Sequence, residues 1–138
     1  MPQLSRVSIF GIRLATCVLV VYWIALFTGT HMPHPPSPAA VGIKASDKVQ
    51  HFTAFFGLAT LLYWVVPGRR GPLRKVLVVL AIAVPYAAFD EWSQGFVSTR
   101  TVDFRDFIAN CLGILAATLL YLVLRPIVHR WRSRSDFD

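Results

Sequence analysis

The sequence predicts an all-α polytopic membrane protein: a bundle of four transmembrane helices with both termini cytoplasmic. Three observations carry that prediction. First, 55% of the 138 residues are hydrophobic and only 15% are charged, against roughly 25% charged in a soluble domain. A globule of this size buries only about 68–70% of its surface and cannot hide so large an apolar fraction. Second, four runs, 14–27, 52–66, 76–89 and 107–124, are apolar on every face, where the helices of a soluble bundle would be amphipathic. Third, Lys and Arg segregate between the connections. The same composition excludes a disordered tail, a coiled coil and a disulfide-stapled module. The net charge of +7 lies between apolar runs and forms no stripe, so no nucleic-acid partner is expected.

One domain is expected over 1–138, with helices at about 8–28, 47–66, 73–92 and 102–124 and a basic cytoplasmic tail at 125–138. The first run is lengthened by Val7, Ile9, Phe10 and Ile12, with Arg13 embedded. It lacks a small-x-small cleavage site and three further runs follow, so it reads as a span and not a signal peptide. Residues 29–45, with Pro33, Pro35, Pro36 and Pro38, read as an extended loop that exposes His31 and His34. Crossing the hydrocarbon takes about 20 residues. The second and third apolar cores hold only 15 and 14, so each must draw polar neighbours into its helix. Residues 67–72 form a tight basic turn, and Pro85 is a kink that a bundle tolerates. Cys17 and Cys111 fall inside spans and read as small buried side chains with no disulfide.

Orientation follows from counting. With four spans, the termini and the middle loop share one side, which carries ten Lys and Arg: Arg6, Arg13, Arg69, Arg70, Arg74, Lys75, Arg125, Arg130, Arg132 and Arg134. The other side carries four: Lys44, Lys48, Arg100 and Arg105. The positive-inside rule therefore puts the termini in the cytoplasm. His129 and the rest of the basic tail are expected to lie against anionic headgroups.

The acidic residues split the opposite way, and this gathers the chemistry at the outer end. Asp47, Lys48 and His51 open the second helix, with Asp47 and His51 four apart on one face. Asp90, Glu91 and Gln94 close the third. Asp103, Arg105, Asp106 and Asn110 open the fourth, whose stripe Asp103, Asp106, Asn110, Gly113 and Ala117 passes from polar to small and would admit a closely packed helix. Charges at this depth are costly unless paired or lining a cavity. His51 and Glu91 are the candidate acid–base residues. Arg100 suits an anionic group, which its planar fork binds bidentately. Asn110 and Gln94 would orient a ligand, and Asp47, Lys48, Asp90, Asp103, Arg105 and Asp106 complete the candidate ligand-binding set. Asp103, Asp106 and Glu91 could hold a divalent cation, but two aspartates three apart are a weak signal, so neither metal nor other cofactor is expected.

Four ordered segments, Asp47-Lys48-Val49-Gln50-His51-Phe52, Asp90-Glu91-Trp92-Ser93-Gln94, Arg100-Thr101-Val102-Asp103-Phe104-Arg105-Asp106 and Ala109-Asn110-Cys111-Leu112-Gly113, resemble the VanZ-like family of small bacterial membrane proteins. The resemblance implies a multi-span inner-membrane protein, and a namesake linked to resistance to the glycopeptide teicoplanin. It implies no mechanism.

Two functions fit these residues. One is recognition, with or without modification, of an anionic lipid-linked cell-envelope molecule, with membrane lipids as partners. The other is a non-enzymatic scaffold or accessory subunit whose charges form a structural network, Glu91 and Asp106 pairing with Arg100 and Arg105. No serine sits in a nucleophile elbow and no cysteine in a polar setting, so whether the chain is an enzyme stays open, as does its oligomeric state.

Overall fold

The computed structural model describes residues 8–9, 12–33, 47–68 and 71–135, with side chains from residue 14 to residue 127 within those segments. The basic pair Arg69 and Arg70, most of the Pro-rich loop with His34 and Lys44, Arg6 and the side chain of His129 lie outside what is described. Four helices follow one another: α1 Leu14–His31, α2 Asp47–Val65, α3 Pro72–Gln94 and α4 Phe104–Ser135. Ahead of them, β1 Ser8–Ile9 pairs antiparallel with β2 Ile12–Arg13.

Two expected boundaries are corrected. The first helix starts at Leu14, not near residue 8: the β-branched Ile9 and Ile12 favour extended backbone, and Arg13 follows. It also runs past residue 28 to His31, because Thr30 and His31 find partners on α3. At the other end α4 does not stop near 124 to release a tail. It continues to Ser135 through Pro126, at the loss of one backbone hydrogen bond to the preceding turn.

The helices alternate up and down. Thr30 at the end of α1 meets Asp90 near the end of α3, while Lys48 at the start of α2 meets Asp103 and Asp106 at the start of α4. At the far end Tyr63 of α2 donates to Thr118 of α4, and Tyr63 stacks on Tyr121. Lys75 at the start of α3 lies 5.1 Å over the Tyr121 ring. One end of the bundle therefore collects the C-termini of α1 and α3 with the N-termini of α2 and α4.

Three helices, Leu14–His31, Pro72–Gln94 and Phe104–Ile127, are long and apolar enough to cross a membrane. At about 1.5 Å per residue each is roughly 27–36 Å long, the thickness of the hydrocarbon. Their outer surfaces carry Val20, Val21, Ile24, Leu73, Leu77, Leu115, Leu119 and Val123, all exposed. The interior, by contrast, holds His51, Asp90, Glu91, Asp106 and Asn110. Apolar outside and polar inside is the arrangement a bilayer selects. The chain is thus a membrane protein with several spans. α2 is less apolar because it is the inner helix: Phe55, Leu58, Ala59 and Leu62 are buried, and it packs chiefly on α4.

Glycine sets how closely α2 and α4 approach. A Cβ at Gly113 would run into the Phe52 carbonyl oxygen and come within 2.9 Å of the Phe56 nitrogen, both backbone atoms that cannot turn aside. The expected small half of the α4 stripe, Gly113 with buried Ala117, is therefore the contact surface for α2. Gly57 plays the same part toward α1, where the Tyr22 hydroxyl occupies the space of a Cβ and donates to the Ala54 carbonyl at 2.9 Å. Gly113→Ala should accordingly destabilise the protein by about 1–3 kcal/mol, the usual cost of forced overpacking. Gly29→Ala, with open space around it, should not. Thermal unfolding of both in detergent checks this, and equal midpoints for the two variants would contradict it.

Candidate functional site

The polar end divides into two halves joined by one bond. The first half lies between α2 and α4. Lys48 Nζ donates to Asp103 Oδ2 at 3.1 Å and to Asp106 Oδ1 at 2.8 Å. One turn deeper, His51 Nδ1 lies 3.1 Å from Asn110 Oδ1. Its other ring nitrogen, Nε2, stands 4.0 Å from both Asp47 Oδ2 and Asp106 Oδ2. Asp103 also caps α4: its Oδ1 accepts from the Arg105 backbone N–H at 2.8 Å, an N-cap bond. That N–H, with Lys48 second, holds the Asp103 carboxyl below the usual aspartate range.

The second half lies between α1 and α3. Asp90 is completely buried, and both of its oxygens are used: Thr30 Oγ1 donates to Oδ1 at 2.8 Å and Gln94 Nε2 to Oδ2 at 3.0 Å. His31 Nδ1 is 4.0 Å from Asp90 Oδ1 and 2.9 Å from the Phe27 carbonyl oxygen, and its ring stacks on Phe27. His31 Nε2 lies 2.9 Å from Ser93 Oγ, which itself donates to the Asp90 carbonyl at 3.0 Å. The halves are linked by Glu91, whose Oε1 accepts the Asp103 backbone N–H at 2.7 Å. Between Glu91 and Asp103 the chain makes successive turns, closed by Phe96 on Ser93, Val97 on Gln94 and Arg100 on Val97.

Several expected residues meet here in a different pattern. His51 and Glu91 form no hydrogen bond with each other: one is engaged by Asn110, the other by the Asp103 backbone. Glu91 and Asp106 do not pair with Arg100 and Arg105 among the described residues; Lys48 takes Asp106 instead. Arg105 is exposed, and its contribution to the cluster is its backbone N–H. Arg100 is half-buried, and its Nε has no partner. Glu91 Oε2 and Asn110 Nδ2 are likewise buried without partners. Asp47 remains 53% exposed at the mouth.

Thr30 and Ser93 join the cluster without any signal in the sequence, and His31 joins it against expectation. It does not lie in an exposed loop; it is the last residue of α1, four positions after the Phe27 it stacks on. That helical spacing is the available signal. Ser93 and His31 form a serine–imidazole pair next to an aspartate. Ser93, however, is buried within α3 and its hydroxyl proton is directed at the Asp90 carbonyl, so the pair locks α1 to α3 and presents no nucleophile.

Two outcomes follow. Thr30→Val removes a donor from a buried carboxylate and should cost about 1–2 kcal/mol, with Thr30→Ser near wild type in thermal unfolding. Asp103, with its folded pKa lowered, stabilises the protein above the ordinary aspartate pKa of about 3.9, and that contribution is lost as pH falls through the lowered value. The unfolding midpoint should therefore drop on the acid side below about pH 4, and Asp103→Asn should shrink that drop. An identical acid profile in the variant would contradict the assignment.

The family model described as VanZ/LLP1 matches residues 13–125, the segment that contains the four helices up to the start of the basic tail. A similar protein in Schizosaccharomyces pombe, "Uncharacterized protein C11E3.10", is 32% identical over 106 residues, 77% of this chain and 63% of that one. The chain thus spans somewhat less than two thirds of that relative's length. No solved structure matches.

Proposed function

The chain belongs to the VanZ/LLP1 family, and we propose that its polar helix end recognises the anionic headgroup of a membrane-anchored molecule. The observation that carries this reading is a set of buried polar atoms left without partners on the residues of this end and of the connection into α4: Glu91 Oε2, Asn110 Nδ2 and Arg100 Nε. A network built only to hold helices together satisfies its own members, because each orphaned buried group costs about 1–3 kcal/mol. Here a carboxylate oxygen, an amide N–H and a guanidinium N–H are held ready, a combination suited to a phosphate or carboxylate with its own hydroxyl or water. Arg100, engaged by no carboxylate among the described residues, is the natural anchor for the anion.

A route for the apolar part of such a molecule supports the same reading. Val20, Trp23, Ile24 and Phe27 of α1 and Tyr86 of α3 line an apolar groove of about 390 Å³. Phe27 and Tyr86 are each one turn from the polar end, at His31 and Asp90. An acyl chain in the groove would carry its headgroup to that end. With α2 crossing beside its neighbours and the termini cytoplasmic, as the ten-to-four distribution of Lys and Arg favours, this is the outer leaflet. The similarity extends to a yeast protein, so the ligand is best stated by its chemistry: an anionic lipid-linked molecule, of which a cell-envelope precursor and the target of a glycopeptide are instances. Whether the ligand is modified turns on Glu91 and His51, the groups at the site able to exchange protons.

The scaffold reading rests on one observation of its own: Lys48 is gripped by two carboxylates from the start of α4. The two readings separate in one experiment. Native mass spectrometry of the protein in mild detergent with phosphatidic acid, and with zwitterionic phosphatidylcholine as control, should show anionic lipid retained about tenfold better, a discrimination of about 1.4 kcal/mol. Arg100→Ala should abolish that preference and Glu91→Gln weaken it, with unfolding midpoints unchanged. A folded Arg100→Ala that keeps the preference would defeat the proposal, and full recovery of function in a Lys48→Asp, Asp106→Lys double variant would favour the scaffold.

A further inference from the structure

One group of atoms at the polar end is spaced as no hydrogen bond explains. His51 Nε2 stands 4.0 Å from Asp47 Oδ2 and 4.0 Å from Asp106 Oδ2, beyond hydrogen-bond reach. Ligating atoms of the three residues all lie within 4.8 Å of one another. The imidazole is oriented from its far side. Its Nδ1 lies 3.1 Å from Asn110 Oδ1, an oxygen that can only accept, so in the neutral ring the proton belongs on Nδ1 and Nε2 turns a lone pair toward two carboxylates. Three electron-pair donors converging on one point repel one another unless positive charge lies between them.

Lys48 does not supply that charge at this point. Its ammonium is bonded to the other oxygen of Asp106 and to Asp103. Asp47, Asp103 and Asp106 against Lys48 and, beside Asp103, Arg105 leave one negative charge uncompensated among the described residues. An independent sign of a missing occupant is Glu91, only 4% exposed, whose Oε2 is buried without a partner. Glu91 is close enough to both His51 and Asp106 to interact with each electrostatically. Asn110 Nδ2, on the side chain that orients His51, is also buried and unpartnered.

We propose that Asp47, His51 and Asp106 bind one divalent metal cation of the zinc or manganese class, through one imidazole nitrogen and two carboxylate oxygens. The ligand type fits: imidazole suits zinc, and carboxylate adds affinity for manganese. The size fits as well. An ion equidistant from three atoms at these separations stands about 2.3–2.5 Å from each, and closure by a few tenths of an ångström brings it to the roughly 2.0–2.2 Å of zinc–nitrogen and zinc–oxygen bonds. Asp47 and His51, four apart, share one face of α2, and α4 contributes Asp106 and the orienting Asn110. Asn110 fills the place that an outer-shell acceptor takes behind a metal-bound histidine. Three protein ligands leave coordination positions open to water or to an incoming anion, within electrostatic range of the Glu91 carboxylate. The half-exposed Asp47 provides the entrance. Metal binding goes beyond the headgroup reading and does not depend on it.

The test uses the full chain in detergent, stripped with a chelator and titrated calorimetrically with Zn²⁺ alone. Wild type should take up one ion per chain. Asp47→Asn, at the exposed ligand, should bind roughly tenfold more weakly or worse with an unchanged unfolding midpoint, and His51→Ala should lose the stoichiometric site. Asp103→Asn removes the same charge from a residue that is not a ligand and should change affinity by less than about threefold, as expected of a partly screened neighbour. If His51→Ala fails to fold, the comparison of Asp47→Asn with Asp103→Asn decides. No stoichiometric uptake by wild type, as when a second proton on His51 fills the gap, would overturn the proposal. So would equal weakening by the two aspartate variants, or a folded His51→Ala that still binds one ion.

Discussion

Asp90 and Asp106 are the two carboxylates that the bundle cannot leave alone. Both are buried, in helices whose outer faces are turned to hydrocarbon, where no water can solvate them and the cost of an uncompensated charge is several kcal/mol. Each is satisfied by side chains from other turns and other helices: Asp90 by Thr30 of α1 and Gln94 of its own helix, Asp106 by Lys48 of α2. These obligations determine which helix ends can meet. They bring the end of α1 to the end of α3 and the start of α2 to the start of α4, and so they produce the polar end.

Close packing decides how near the remaining groups come. Gly113 lets the α2 backbone rest directly on α4, and Asn110 lies one turn above it, opposite His51. Were α2 to move outward by the width of a methyl group, the 3.1 Å hydrogen bond between His51 and Asn110 would break. The small-residue surface and the polar cluster are therefore parts of one device. Apolar contact between helices is weakly favoured in lipid, where the tails are as apolar as the side chains, so short-range packing and buried hydrogen bonds must between them hold the register.

The polar end is legible in the sequence because charges are rare in apolar runs and each stands out. Asp47, His51, Asp90, Glu91, Asp106 and Asn110 all lie at or just inside the ends of such runs, and alternation of spans gathers them. The pairing is not legible. Nothing in the spacing says that Lys48 and not Arg105 reaches Asp106, because that depends on the rotation of α2 about its axis, which Gly113 and Phe52 set. The length of α1 is hidden for a related reason. Thr30 and His31 look like loop residues by type, and only their partners on α3 make a final helical turn worthwhile. Ser93 gives no signal either, since a helical serine bonded to the preceding turn is ordinary until a histidine arrives from another helix.

The two halves of the polar end differ in a way that bears on function. The half between α1 and α3 is closed: Asp90 has both oxygens filled, Ser93 has given its proton to the backbone, and His31 has a partner within hydrogen-bond distance at each ring nitrogen. A headgroup brought up by the apolar groove below would therefore find its unpaired partners not at Asp90 and His31 but at the neighbouring Glu91. The half between α2 and α4, with its Glu91 link, is open: among the described residues a second oxygen on Glu91, an amide N–H on Asn110 and, on the connection into α4, a guanidinium N–H on Arg100 lack partners. On the two proposals, a hydrated cation and an anion bound to it would together satisfy these groups. The closed half thus ties α1 to α3, and it is the other half that retains groups free to bind.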